Sequence, residues 1–328
     1  MKYVIFKFAV ILFVTGIFFL LGCSSKESKK ERLFSSIVLE DSISLDLPLL
    51  RFQKYQNGFY AYDFSEKSIV KLDSEFNLID RLGSWGDGPK ENLLIRNYKI
   101  LDEDLVAIFD VEKNTFKIQD FKDSVYVYKK FDFNIRGGIY TDSTSIIISR
   151  ISDKMRMEFL RTNLNSSETE ILLEINNFFV EDYSGLTFEG KINELDGKIY
   201  FTSYFSSFWF IYDIHTKEIK SGKYIYDYNK PKVLDTGGMV MLEDAPELIY
   251  DSFISSRYMF IVSNLADRNY PDQRILDIYD IGNFEYLQFF PLPNLNDTSP
   301  DEGFYIDDSK IAILYEDKVY FFKLSLSK

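Results

Sequence analysis

Side chains able to do chemistry are few in this chain, and they do not gather. There is one histidine, His215, in YDIHTKE just after a predicted strand. It has no second imidazole with which to share a zinc or iron ion and no G-x-S-x-G elbow, so it reads as an exposed turn residue without a catalytic part. GSWGDG, from Gly83, has neither the G-x-G-x-x-G nor the G-x-x-x-x-G-K-[ST] spacing, and no predicted helix follows to cap a phosphate. NLNDTSPDEG, Asn294 to Gly303, is rich in oxygen ligands, but it departs from EF-hand spacing and reads as a solvated loop. No catalytic residue, metal ligand set or cofactor is assigned from these residues.

The one cysteine, Cys23, stands where an apolar run ends and a charged one begins. Lys2 and Lys7 lead, Phe8 to Leu21 is apolar apart from Thr15 and Gly16, and Gly22 and Cys23 follow, which is the layout of a secretory signal. Tyr3 to Gly22 is about long enough to span a bilayer of roughly 30 Å, but Lys7 interrupts it. LLGC, Leu20 to Cys23, resembles the lipobox of bacterial lipoproteins. That resemblance implies cleavage before Cys23, lipid on its thiol, and an anchor in place of a nucleophile. The expected organisation is a signal peptide over 1–22, a lipidated cysteine and polar tether over 23–32, and a folded domain over 33–328.

Loss of Lys2 and Lys7 with the signal takes the formal charge from -13 to -15. A chain this acidic repels phosphate backbones, and its basic runs are confined to Lys29-Lys30 and Lys129-Lys130, which argues against nucleic acid. With its only thiol lipidated, the domain has no disulfide and no thiolate metal site.

Beyond Leu33, short runs rich in Ile, Val, Phe and Tyr alternate with Asp, Asn, Gly and Ser, the pattern of strands and turns. One strand type recurs six times: GFYAYD (Gly58), LVAIFD (Leu105), SIIISR (Ser145), KIYFTS (Lys198), YMFIVS (Tyr258) and KIAILY (Lys310). Their centres, Tyr60, Ala107, Ile147, Tyr200, Phe260 and Ile313, are 47, 40, 53, 60 and 53 residues apart. Such intervals, each holding several strands, predict an all-β, six-bladed β-propeller. The final unit is short, and the spare segment LFSSIVLED, Leu33 to Asp41, is expected to complete it and close the ring.

With its lipobox and six units the chain resembles the TolB-like six-bladed propeller lipoproteins of Bacteroidetes-type bacteria. Their first blade often ends in a pattern like G-x-x-G-x-GPGE followed by an aromatic. Gly83, Gly86, Gly88, Pro89 and Glu91 match it, while Lys90 and Asn92 depart from it. The resemblance implies a lipid-anchored protein of the cell envelope, at the outer membrane, with the side it faces left open. Its expected role is a non-enzymatic binding or scaffold module for an envelope protein, peptide or glycan. The alternative is a lactonase-like hydrolase or lyase with a divalent ion in the channel, for which a tight cluster of Asp, Glu and Asn at the channel mouth would speak, as a channel filled by apolar side chains would speak for the binding module. Propeller geometry puts SWGDGPK, NKPKVLDTGG, NLADRNYPDQR and NLNDTSPDEG on one face. From these, Trp85, Asp87, Arg268 and Tyr270 are the expected contact residues, since aromatics and arginine dominate binding hot spots. Trp85 is also expected to pack under or beside the glycine turn.

Overall fold

The recurring strands are buried on both faces, and that is why they read as unbroken apolar runs. In GFYAYD, Phe59 and Ala61 join one core cluster with Phe304, Ala312 and Phe321, whereas Tyr60 and Tyr62 point the other way, into a cluster with Ile95, Val106 and Ile108. Strand alternation thus feeds one strand into two interfaces. Six such clusters lie between consecutive sheets around the whole circuit. Burying each phenylalanine contributes about 2–3 kcal/mol, and the buried aromatics of the strands are placed between blades.

The computed structural model describes residues 32–166, 168–228, 230–265, 267 and 269–325. Cys23, the signal segment, the tether as far as Glu31, and Arg268 lie outside the described residues. Among the described residues the sheets are six four-stranded antiparallel blades and one two-stranded hairpin. Each recurring strand is the second of its blade, not the first. The innermost strands, missed in the sequence, are Leu49–Tyr55, Ile95–Asp102, Ile135–Asp142, Gly190–Leu195, Ile249–Ile254 and Glu302–Asp307, in blades 1 to 6.

Blade 6 closes with a strand from the start of the domain. Ile37–Ser44 pairs antiparallel with Lys318–Leu324, from Ile37 opposite Leu324 to Ser44 opposite Lys318. The closing strand therefore lies further along than the expected Leu33 to Asp41. Leu33 to Ser35 instead meets the outermost strand of blade 5: the Phe289 amide donates to the Leu33 carbonyl (2.8 Å) and the Ser35 amide to the Phe289 carbonyl (3.0 Å). Arg32, placed in the tether by the sequence, is buried on Asp277 of blade 5 (2.9 Å).

One further expectation changes. NKPKVLDTGG is not an open loop: Lys232–Asp235 pairs with Val240–Glu243 as a hairpin in the connection from blade 4 to blade 5. Two four-residue helices, Leu173–Asn176 and Ser184–Thr187, occupy the connection from blade 3 to blade 4.

A candidate ligand site in the central channel

The six innermost strands enclose a channel of ≈ 1540 Å³. That exceeds the roughly 300–1,000 Å³ of an ordinary small-molecule site. Near the same end of these strands the register slips in blades 1, 2, 3 and 5, between Leu50 and Gln53, Ile95 and Asn97, Ile135 and Gly137, and Ile249 and Asp251. A bulge leaves one residue outside the ladder and re-aims its side chain. The residues so released are Arg51 with Phe52, Arg96, Arg136 and Tyr250, and all line the channel. The corresponding tier in blades 4 and 6 carries Lys191 and Glu302. Arg51 itself has φ 56, a left-handed conformation that costs a non-glycine residue of order 1–3 kcal/mol. Its amide donating to the Glu302 carboxylate (2.8 Å) and its carbonyl accepting from the Tyr98 hydroxyl hold it there.

Most charges of this tier are answered. Lys191 pairs with Asp251, whose second oxygen accepts from the Gly303 amide (2.9 Å). Burial works against the Lys191 ammonium, but Asp251 and Glu302 outweigh it and hold its pKa above the ordinary value. Burial also lifts the Glu302 carboxyl above its usual range, with Lys191 pulling the other way. The Arg51 guanidinium donates to the Ile95 carbonyl, and Lys99 pairs with Glu194 (2.5 Å). Among the described residues, Arg96 and Arg136 make no hydrogen bond or ion pair, and no three histidine, cysteine or carboxylate residues are placed to hold a metal ion. The channel is thus neither a carboxylate cluster nor an apolar plug.

The sequence did carry a signal for this tier, and it was missed. Arg51, Arg96, Arg136 and Lys191 precede the recurring-strand centres Tyr60, Ala107, Ile147 and Tyr200 by nine to eleven residues. Four consecutive units repeat a basic residue at one place in the blade.

The residues expected to make contacts fare differently. The connections between blades and those between the second and third strands share one end of the sheets, so the four chosen segments lie at the end where the basic tier begins. Trp85 is 70 % exposed, which corrects the expectation that it packs under the turn, and Asp87 is exposed beside it. Tyr270 is engaged at the seam, stacked on Phe34 at 6.1 Å between ring centroids. Arg268 lies outside the described residues. His215 is exposed in its turn.

The glycine-rich segment is a braced crossing. Gly83 has φ 74, and a Cβ there would sit 2.6 Å from the side-chain Nδ2 of Asn92. The Glu91 carboxylate accepts from the Gly88 amide (2.7 Å), and the Asn92 amide donates to the Ser84 carbonyl (2.8 Å). From blade 2, Lys113 donates to the Gly88 carbonyl (2.6 Å) and Lys117 to that of Pro89 (3.2 Å), and both reach the Glu91 carbonyl at 3.1 Å. Burial, then the neighbouring Lys113 charge, depress Lys117 to about 7. Between that value and about 10.4, the unfolded chain binds a proton that the folded one has released, so stability rises with pH across the window. Melting temperatures from pH 7 to 9 should therefore climb more in the wild type than in Lys117→Met, and the variant should gain most at pH 7. Parallel curves would show that Lys117 is charged in the fold throughout.

No protein-family model matches the chain, and no curated protein matches it. Solved structures do resemble it. A DUF4221-family member from Bacteroides vulgatus shares 11% identity over 91% of this chain and 100% of its own, with a TM-score of 0.58. A Bacteroides fragilis protein whose name assigns it to export shares 13% identity over 91% of this chain and 98% of its own, TM-score 0.57. Virginiamycin B lyase from Staphylococcus aureus shares 11% identity over 88% of this chain and 100% of its own, TM-score 0.51. At these identities the likeness is one of fold.

Proposed function

We propose that this chain is a lipid-anchored envelope lipoprotein of the TolB-like kind, whose propeller is a non-enzymatic binding or scaffold module for a protein, peptide or glycan. The observation that carries the reading is the channel: a wide space whose basic tier holds two arginines without partners among the described residues, at the end of the sheets that carries the connections between blades. Rigid sheets position those connections, which is how propellers present binding residues. Two channel carboxylates, Asp251 and Glu302, are occupied by Lys191 and by the Arg51 amide, and among the described residues no three carboxylates are placed as the oxygen cluster that a lactonase-like ion site requires.

Two experiments test the two halves. Cys23→Ser should lose fatty-acid labelling and leave the membrane fraction; retention through an uncleaved amino-terminal segment overturns the anchor. For the module, native complexes recovered from detergent-solubilised membranes should lose a partner tenfold or more when Arg96 and Arg136 are both changed to alanine. The same loss confined to Trp85→Ala with Asp87→Ala would move the site from the channel to the outer loop. Undiminished recovery with both folded variants removes the module from this face.

A further inference from the structure

Arg96 stands half-buried in the channel wall on its bulge, with no acceptor among the described residues. A guanidinium withdrawn from bulk water without a partner is costly, and here Arg51 adds repulsion. The Tyr204 phenol shares the space. It lines the channel and likewise makes no hydrogen bond among the described residues. Burial raises its pKa, opposed by the charges of Arg96 and Lys191. Arg96 belongs to blade 2 and Tyr204 and Lys191 to blade 4. These blades are not neighbours in the ring; Gly190, beside Lys191, pairs with Ser203, beside Tyr204, so both lie at the end of the channel where Arg96 stands on its bulge, and all three side chains line it. A guanidinium, a hydroxyl and an ammonium thus frame one axial space, and all three are donors.

The surroundings choose among anions. Asp251 and Glu302 line the same wall, and Glu189 and Glu247 line the channel at the ends of the connections above it. Each repels added negative charge, so a phosphate with two charges is disfavoured where a single carboxylate is accommodated. A carboxylate also matches the planar fork of an arginine.

We infer that the axial site receives the carboxylate of a small organic acid, its oxygens accepting from Arg96, the Tyr204 hydroxyl and Lys191. The inference rests on the binding reading above and gives it a ligand chemistry. The ≈ 1540 Å³ of the channel leaves room for the body that carries the carboxylate, whether an acidic sugar or the C-terminal residue of a peptide.

The test is calorimetry on the full chain in detergent at constant ionic strength. The probes are galacturonate with neutral galactose, acetyl-dialanine with its amide, and inorganic phosphate. One carboxylate probe should bind at least tenfold more tightly than its neutral counterpart, and which one binds identifies the source. Phosphate should bind more weakly than that probe. Arg96→Met should cost tenfold or more, Tyr204→Phe a few-fold, and Arg96→Lys less than Arg96→Met, all with wild-type melting temperatures. Should Arg96→Met unfold the protein, the comparison of Arg96→Lys and Tyr204→Phe with wild type carries the test. Absence of binding by both carboxylate probes overturns the inference, as does equal binding of phosphate or indifference to every variant. Equal, Tyr204-dependent binding of a neutral probe overturns it too, but leaves the channel as a binding site for uncharged ligands.

Discussion

Removing Ile37–Ser44 should lower the stability of the domain by several kcal/mol and its melting temperature by about 10 °C or more. The loss does not come from side chains. Val38 and Leu39 are 54% and 46% exposed, and only Ile37 and Ile43 pack partly into the clusters on either side of blade 6. What the strand supplies is a backbone partner for Lys318–Leu324, whose Val319, Tyr320, Phe321 and Phe322 are buried in both interfaces. Without it that strand becomes an open edge in the ring, with apolar residues on both faces and unpaired amides along its length. Alanine at Val38 and Leu39 together should therefore change little, while deletion of the strand changes much. Removing Ser24 to Lys30 should leave the melting temperature where it was. Equal unfolding of the strand deletion and the wild type, by heat or urea, would show that blade 6 is complete with three strands.

That strand shows what sequence makes legible. A blade's second strand is covered on both faces by neighbouring blades, so its apolar character is continuous and its recurrence can be counted. The innermost strands line the channel, and IRNYKILD or GKINEL carries no apolar alternation strong enough to mark a strand. The site followed them out of view: Arg96 and Arg136 owe their placement to bulges, and a bulge is a property of the pairing between two strands. Trp85 was misread for a related reason. The crossing that contains it is braced by Lys113 and Lys117 from the next blade, so no aromatic is needed beneath the turn.

Arg32 was the least legible residue, since nothing in KKER distinguishes it from Lys29 or Lys30 and its partner lies 245 positions away. Its Nε and Nη2 donate to the two Asp277 oxygens at 3.1 and 2.9 Å, and Nη1 donates to the Leu265 carbonyl at 2.7 Å. The Tyr226 ring lies 4.8 Å away. Both side chains are buried, at 1% and 4% exposure. A pair like this adds little over apolar residues of the same volume, but breaking it strands a charge and costs about 3–5 kcal/mol. Asp277→Ala should show that loss, and Arg32→Met with Asp277→Leu should recover most of it. Burial already lifts the Asp277 carboxyl to about 6, with Arg32 pulling it down. Taking Arg32 away lifts it further. Because the folded value then lies well above the unfolded one of about 3.9, the folded chain holds a proton that the unfolded chain has lost. Stability is kept in acid and falls as pH rises through that window, so Arg32→Ala should be mild near pH 4 and severe at pH 8. A domain begun at Leu33 lacks this side chain altogether and should show the same pH-dependent deficit beside one begun at Glu31. If the two melt together at pH 8, the Arg32–Asp277 pair does not hold the start of the domain.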